Sequence, residues 1–117
     1  MTNLERAQDI YAMMGQGQLL DAFDKYYAED VVMQEAGEPA REGKAVNRQY
    51  EEQFTASIEE FHGMGVTAMA SNEETGVVMS ENWFEATIKG AGRVHMQQVN
   101  VQTWKDGQVI KEVFYHK

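Results

Sequence analysis

Cysteine is missing from this 117-residue chain, and proline occurs once, at Pro39. Without thiols there is no disulfide framework and no thiolate nucleophile. Positive charge is scarce as well: 10 Lys and Arg stand against 19 Asp and Glu, for a net charge of −9. Such a surface repels phosphate backbones, and no local Lys/Arg cluster offsets it, which argues against nucleic-acid binding. No apolar run approaches the ~18 residues of a membrane span. The segment Met1–Ile10 carries Glu5 and Asp9 and has no apolar stretch, so a signal peptide is not expected and a cytoplasmic location is. His62, His95 and His116 lack metal-ligand spacing, so no metal site is expected. Gly15-x-Gly17 and Gly63-x-Gly65 do not sit where phosphate loops form, and no Ser lies in a nucleophile elbow. No cofactor is implied.

What is present reads as one domain over residues 1–117, long enough for a core without staples. Thr2 or Asn3 can cap a helix in which Leu4, Ala7, Tyr11 and Met14 recur at helical spacing, ending at Gly15-Gln16-Gly17. A second helix puts Leu19, Leu20, Phe23 and Tyr27 on one face. A short strand, Val31–Glu35, runs into the turn Gly37-Glu38-Pro39. A third helix follows Gly43, with Val46, Tyr50 and Phe54 as its expected buried stripe and Arg48, Glu51 and Glu52 on its solvated side. From Ile58 onward the texture is that of strands, broken at Ser71–Gly76, Lys89–Gly92 and Lys105-Asp106-Gly107. Asp-Gly between apolar runs is the strongest hairpin signal. Gly63 and Gly65 suit a bend or bulge. The order is α-α-β-α-β-β-β-β, an α+β architecture with helices laid over an antiparallel meander.

Several residues carry a resemblance. Tyr27-Ala28-Glu29-Asp30-Val31 leads into the first strand, Glu42-Gly43-Lys44 precedes the third helix, and Trp104 to Ile110 joins the last two strands. In this order they resemble the NTF2-like superfamily, in particular its SnoaL-like and ketosteroid-isomerase-like branches. The resemblance implies a cystatin-like cone, with three helices packed on a strongly curved antiparallel sheet. It spans nearly the whole chain, and the superfamily hosts isomerases, cyclases, hydratases and transport factors.

The isomerase-like pattern implies a site. Tyr11 falls at the position of a hydrogen-bond donor, Glu35 at that of a base, and Gln97 at that of a second donor. Glu35 and Gln97 each replace an Asp of that pattern. Counting by twos, Val31, Met33 and Glu35 share a strand face, so the carboxylate is in line with the core. By the same count His95, Gln97 and Val99 form a pocket wall, joined by Glu112 and Phe114 from the last strand and by Met14 and Met33 as an adaptable lining. Met96, Gln98, Gln102 and Trp104 then face outward, and with the family's habit they predict a homodimer through the outer sheet face.

Three functions remain open at this point. One is a small-molecule enzyme of isomerase or cyclase type, with Glu35 as base and Tyr11 as donor. Another is a non-catalytic module holding a small, largely apolar ligand. The third is a filled core whose dimer is the functional unit. The volume and lining of the cone discriminate among them.

Overall fold

The computed structural model describes residues 1–116. Helix α1 spans Asn3–Gly15, α2 Leu19–Tyr26 and α3 Lys44–Ser57. The strands are β1 Tyr27–Glu35, β2 Arg41–Glu42, β3 Ile58–Asn72, β4 Val77–Ile88, β5 Gly92–Lys105 and β6 Gln108–His116. They form one six-stranded sheet in the order β2-β1-β6-β5-β4-β3. The meander β3 to β6 is antiparallel, as expected. The sheet as a whole is mixed, because β1 joins β6 in parallel and the two-residue β2 adds antiparallel to β1. The chain crosses from β1 to the far edge through α3 and returns along the meander, so its first and last strands become neighbours.

Local chemistry explains the boundaries. Thr2 caps α1 reciprocally with Glu5: its hydroxyl accepts from the Glu5 amide at 3.1 Å, and its own amide donates to Glu5 Oε1 at 2.8 Å. The β5–β6 turn places Asp106 at φ 53° and Gly107 at φ 77°, the two left-handed residues that a type I′ hairpin requires. The register of β3 against β4 shifts between Phe61 and Gly63. Gly65 serves a close approach: a Cβ there would lie 2.6 Å from Trp83 Nε1, so the Trp83 ring packs directly on the β3 backbone.

The core lies between the helices and the sheet face that they cover. Ile10 from α1, Phe23 from α2, Val31 and Met33 from β1, Val78 from β4 and Trp104 from β5 are all buried in it. Tyr26 meets Trp104 edge-on at 5.8 Å.

Helix α3 differs from the expected stripe. Val46 and Tyr50 are 52% and 41% exposed, whereas Asn47 is fully buried and Glu51 faces inward. The inner face is Asn47, Glu51 and Phe54, about one residue's rotation from the predicted one. Backbone capping decides this. The Asn47 amide donates to the carbonyls of Gly43 at 2.8 Å and Arg41 at 3.0 Å, while its oxygen accepts from Arg41 Nε at 3.1 Å. Satisfying these buried groups outweighs burial of one valine.

Candidate active site

The pleat of β4, β5 and β6 determines which side chains meet the helices. Ser80 pairs with Asn100 and Asn82 with Gln98 between β4 and β5. Asn100 pairs with Phe114 and Gln102 with Glu112 between β5 and β6. Directly opposed residues share a face, so these seven side chains form one patch. It is the patch under the helices: Ser80, Asn82, Asn100, Gln102 and Glu112 are all buried.

This reverses part of the sequence reading. His95 and Val99 are exposed on the outer face, with Gln97 beside them, and they do not line the cone. Gln98, Gln102 and Trp104, expected outside, point inward, and Trp104 is 4% exposed. Met96 pairs with Phe84 and shares that inner face. An apolar face normally turns inward, and β5 does the opposite, because its amides are needed beside a buried carboxylate.

That carboxylate is Glu112, 1% exposed. Tyr27 donates to its Oε1. Asn100 Nδ2 and Gln102 Nε2 both donate to its Oε2 at 3.0 Å. Trp104 Nε1 in turn donates to Gln102 Oε1 at 3.1 Å. Burial raises the Glu112 pKa, and the three donors work against that rise. A second chain of bonds leads away from it. Asn82 Nδ2 donates to Asn100 Oδ1 at 3.2 Å and to Ser80 Oγ at 3.1 Å, and Ser80 Oγ lies 2.6 Å from the Tyr11 hydroxyl.

Above this network is a cavity of about 60 Å³. Tyr11, Met14, Met33, Glu112 and Phe114 line it, together with Phe23, Tyr27 and the amides of Gln98, Asn100 and Gln102. Glu51 also lines it, from α3. Loss of water and the charge of Glu112 raise its pKa to about 7, against a smaller downward pull from Arg41. Its signal in the sequence was hidden by the misplaced helix face: Glu51 is four residues after Asn47, and only the capping role of Asn47 reveals that both face inward. Tyr11 is 7% exposed, and burial raises its pKa, so its hydroxyl keeps its proton.

Glu35 obeys the alternation read from Val31 and Met33. It pairs with Phe114, as Met33 pairs with Glu112, and so shares the inner face. It is the strand partner of the lining residue Phe114 but is not itself in the lining. Among the described residues its Oε2 is buried without a hydrogen-bond partner, and desolvation raises its pKa while Arg41 lowers it. Arg41 packs its guanidinium 3.7 Å from the Tyr50 ring centroid, and its Nη2 is buried with no partner among the described residues. Glu35 raises the pKa of both Glu51 and Glu112. Three carboxyl groups are thus electrostatically coupled along one wall of the cone. Among the described residues no group of His, Asp and Glu side chains is arranged to hold a metal ion. No helix there is long and apolar enough to cross a membrane.

Comparison with known proteins agrees with this fold. The SnoaL-like domain model matches residues 1–116. A protein from Mesorhizobium loti, described as a candidate SnoaL-like polyketide cyclase, is 32% identical, with a TM-score of 0.83 over 98% of this chain and 99% of that one. An LEH-like epoxide hydrolase from M. tuberculosis shares the fold at 15% identity and a TM-score of 0.80, over 98% and 82% of the two chains. A candidate isomerase from Bacillus subtilis does so at 16% identity and 0.83, over 100% and 90%. No curated protein sequence matches significantly. By the family match and the identity to the Mesorhizobium loti protein, the chain belongs to the SnoaL-like domain family.

Proposed function

We propose that this protein is an acid–base enzyme acting on a small, largely apolar molecule that carries a carbonyl oxygen, of isomerase or cyclase type. The observation that carries this is Glu51: a carboxyl group, raised to about 7, that lines the same cavity as Tyr11 and the apolar side chains of Met14, Phe23 and Phe114. An acid or base is most effective when its pKa is near the working pH. Glu51 takes a proton from the carbon next to the carbonyl, and the negative charge moves onto the carbonyl oxygen. Tyr11 donates a hydrogen bond to that oxygen. Return of the proton from Glu51 to a different carbon is isomerisation. Attack of the carbanion on a second carbonyl, which then takes up the proton, is aldol-type cyclisation. The cyclase description of the Mesorhizobium loti relative supports the second. Glu35, the base in the family-like pattern, adds here the smallest of the upward contributions to the Glu51 pKa, after burial and the charge of Glu112.

The cavity as folded has room for a few waters. A larger substrate enters by displacing Met14 and Phe114, both only half-buried.

The test is hydrogen exchange into a panel of small ketones in D₂O. Glu51→Gln lowers the rate about 100-fold or more, and Glu35→Gln lowers it far less. A Glu51→Gln rate equal to wild type, with Glu35→Gln inactive, returns the base to Glu35.

A second reading, pairing of two copies through the outer sheet face with or without catalysis, has its own observation. Met79, Val101 and Val113 are successive cross-strand partners, and Val99 and Tyr115 pair beside them. Met79, Val99 and Tyr115 are 51%, 37% and 50% exposed, so this apolar band lies open on β4, β5 and β6. Sedimentation of wild type against Val99→Asp tests it: a dimer that the substitution dissociates supports pairing, and a monomeric wild type removes it.

A further inference from the structure

The donors and acceptors around Glu112 have one consistent direction, and it reaches Tyr11. An indole N–H can only donate, so the Gln102 atom facing Trp104 Nε1 is its oxygen. The Gln102 amide nitrogen therefore faces Glu112, which accepts. Glu112 Oε2 accepts from the Asn100 amide nitrogen as well, at 3.0 Å. The Asn100 oxygen is left to accept from Asn82 Nδ2, and the Asn82 oxygen accepts from Gln98 Nε2 at 3.3 Å. The second Asn82 hydrogen goes to Ser80 Oγ.

Ser80 is 3% exposed, and among the described residues its hydroxyl has two neighbours within hydrogen-bonding distance, Asn82 Nδ2 and the Tyr11 hydroxyl. Asn82 already donates to it. The Ser80 hydrogen therefore has Tyr11 as its acceptor. If Tyr11 donated to Ser80 instead, the Ser80 hydrogen would be buried without a partner, at a cost of about 1–3 kcal/mol. With Ser80 as donor, the hydrogen left over belongs to Tyr11, which lines the cavity.

We infer that Glu112, acting through Asn100, Asn82 and Ser80, fixes Tyr11 as a donor into the cavity, so that the site selects molecules presenting an acceptor oxygen there. Ser80 is a positioning residue in this scheme. The inference rests on the reading of the cavity as a ligand site, and it requires no turnover and no role for Glu51.

The experiment compares binding of cyclopentanone, whose oxygen only accepts, with binding of pyrrole, whose N–H only donates. Ligand-observed NMR is applied to wild type, Ser80→Ala and Ser80→Thr. Wild type prefers cyclopentanone by about tenfold, the scale of one hydrogen bond matched against one opposed. Ser80→Ala frees the Tyr11 oxygen to accept and reduces the preference to about threefold or less, and Ser80→Thr, which keeps the hydroxyl, restores it. Equal affinity in wild type, or an undiminished preference in folded Ser80→Ala, overturns the inference. Should neither ring bind, or Ser80→Ala fail to fold, the hydroxyl hydrogens of wild type decide. A slowly exchanging Ser80 hydroxyl with a Tyr11 hydroxyl that exchanges with cavity water supports the inference, and the reverse pattern overturns it. Loss of Glu51-dependent exchange chemistry with the ketone preference intact would remove the catalytic reading and leave this one standing.

Discussion

Trp104 Nε1 donates to Gln102 Oε1 across 3.1 Å, and this bond orients an amide that in turn holds Glu112. Glu112 has two further donors, Tyr27 at the start of β1 and Asn100 on β5, the strand that also carries Gln102. A carboxyl group with three partners is costly to delete and inexpensive to neutralise. Glu112→Ala leaves those donors unmatched and costs about 3 kcal/mol or more in urea unfolding at pH 7. Glu112→Gln keeps the shape and the acceptor oxygen, so it stays within about 1 kcal/mol of wild type at pH 5 and gains relative to it at pH 8.

The pH dependence of stability follows from Glu51. Its ordinary value is 4.5 and its folded value about 7. Between these, the folded chain holds a proton that the unfolded chain has released. Stability therefore declines as pH rises from about 4.5 to about 7 and levels off above, by about 3 kcal/mol at most at 1.36 kcal/mol per pKa unit. The raised Glu112 contributes with the same sign. Denaturant melts from pH 4.5 to 8.5 check this, and Glu51→Gln flattens the decline.

Glu35 acts at a distance. Its negative charge raises the Glu51 pKa without a hydrogen bond between them. Glu35→Gln therefore moves the Glu51 midpoint below about 7, and the pH–rate profile for ketone exchange moves with it. Thermal stability at pH 5 changes little.

The third helix gives a paired test of its face. Asn47→Ala removes donors to three carbonyls, of Val31, Arg41 and Gly43, and costs about 1–3 kcal/mol. Val46→Lys on the exposed side stays within about 0.5 kcal/mol. Had Val46 belonged to the core, this order would be reversed.

These two faces show what the sequence made legible and what it did not. The helix caps, the Asp106-Gly107 hairpin, the element order and the inward turn of Glu35 follow from local patterns, because turns and alternation are written in neighbouring residues. The parity of β5 was not local. Val99 and Val101 look like a core face, and Asn100 and Gln102 look like a solvated one. Only the position of Glu112 on the adjacent strand gives those amides a reason to be buried. Glu51 was hidden for a similar cause, since a carboxylate between Arg48 and Glu52 reads as surface until Asn47 is seen to cap the turn at Gly43. The parallel pairing of β1 with β6 joins segments far apart in the chain, such as Glu35 and Phe114, which periodicity does not encode.

As the proposed acid–base group, Glu51 holds its proton up to about pH 7 while facing the cavity. Side-chain carboxyl carbon NMR of the folded protein, with the Glu51 resonance assigned through Glu51→Gln, measures this directly. The expected result is a midpoint near 7 that falls in Glu35→Gln. A midpoint near 4.5, unmoved by that substitution, would contradict it.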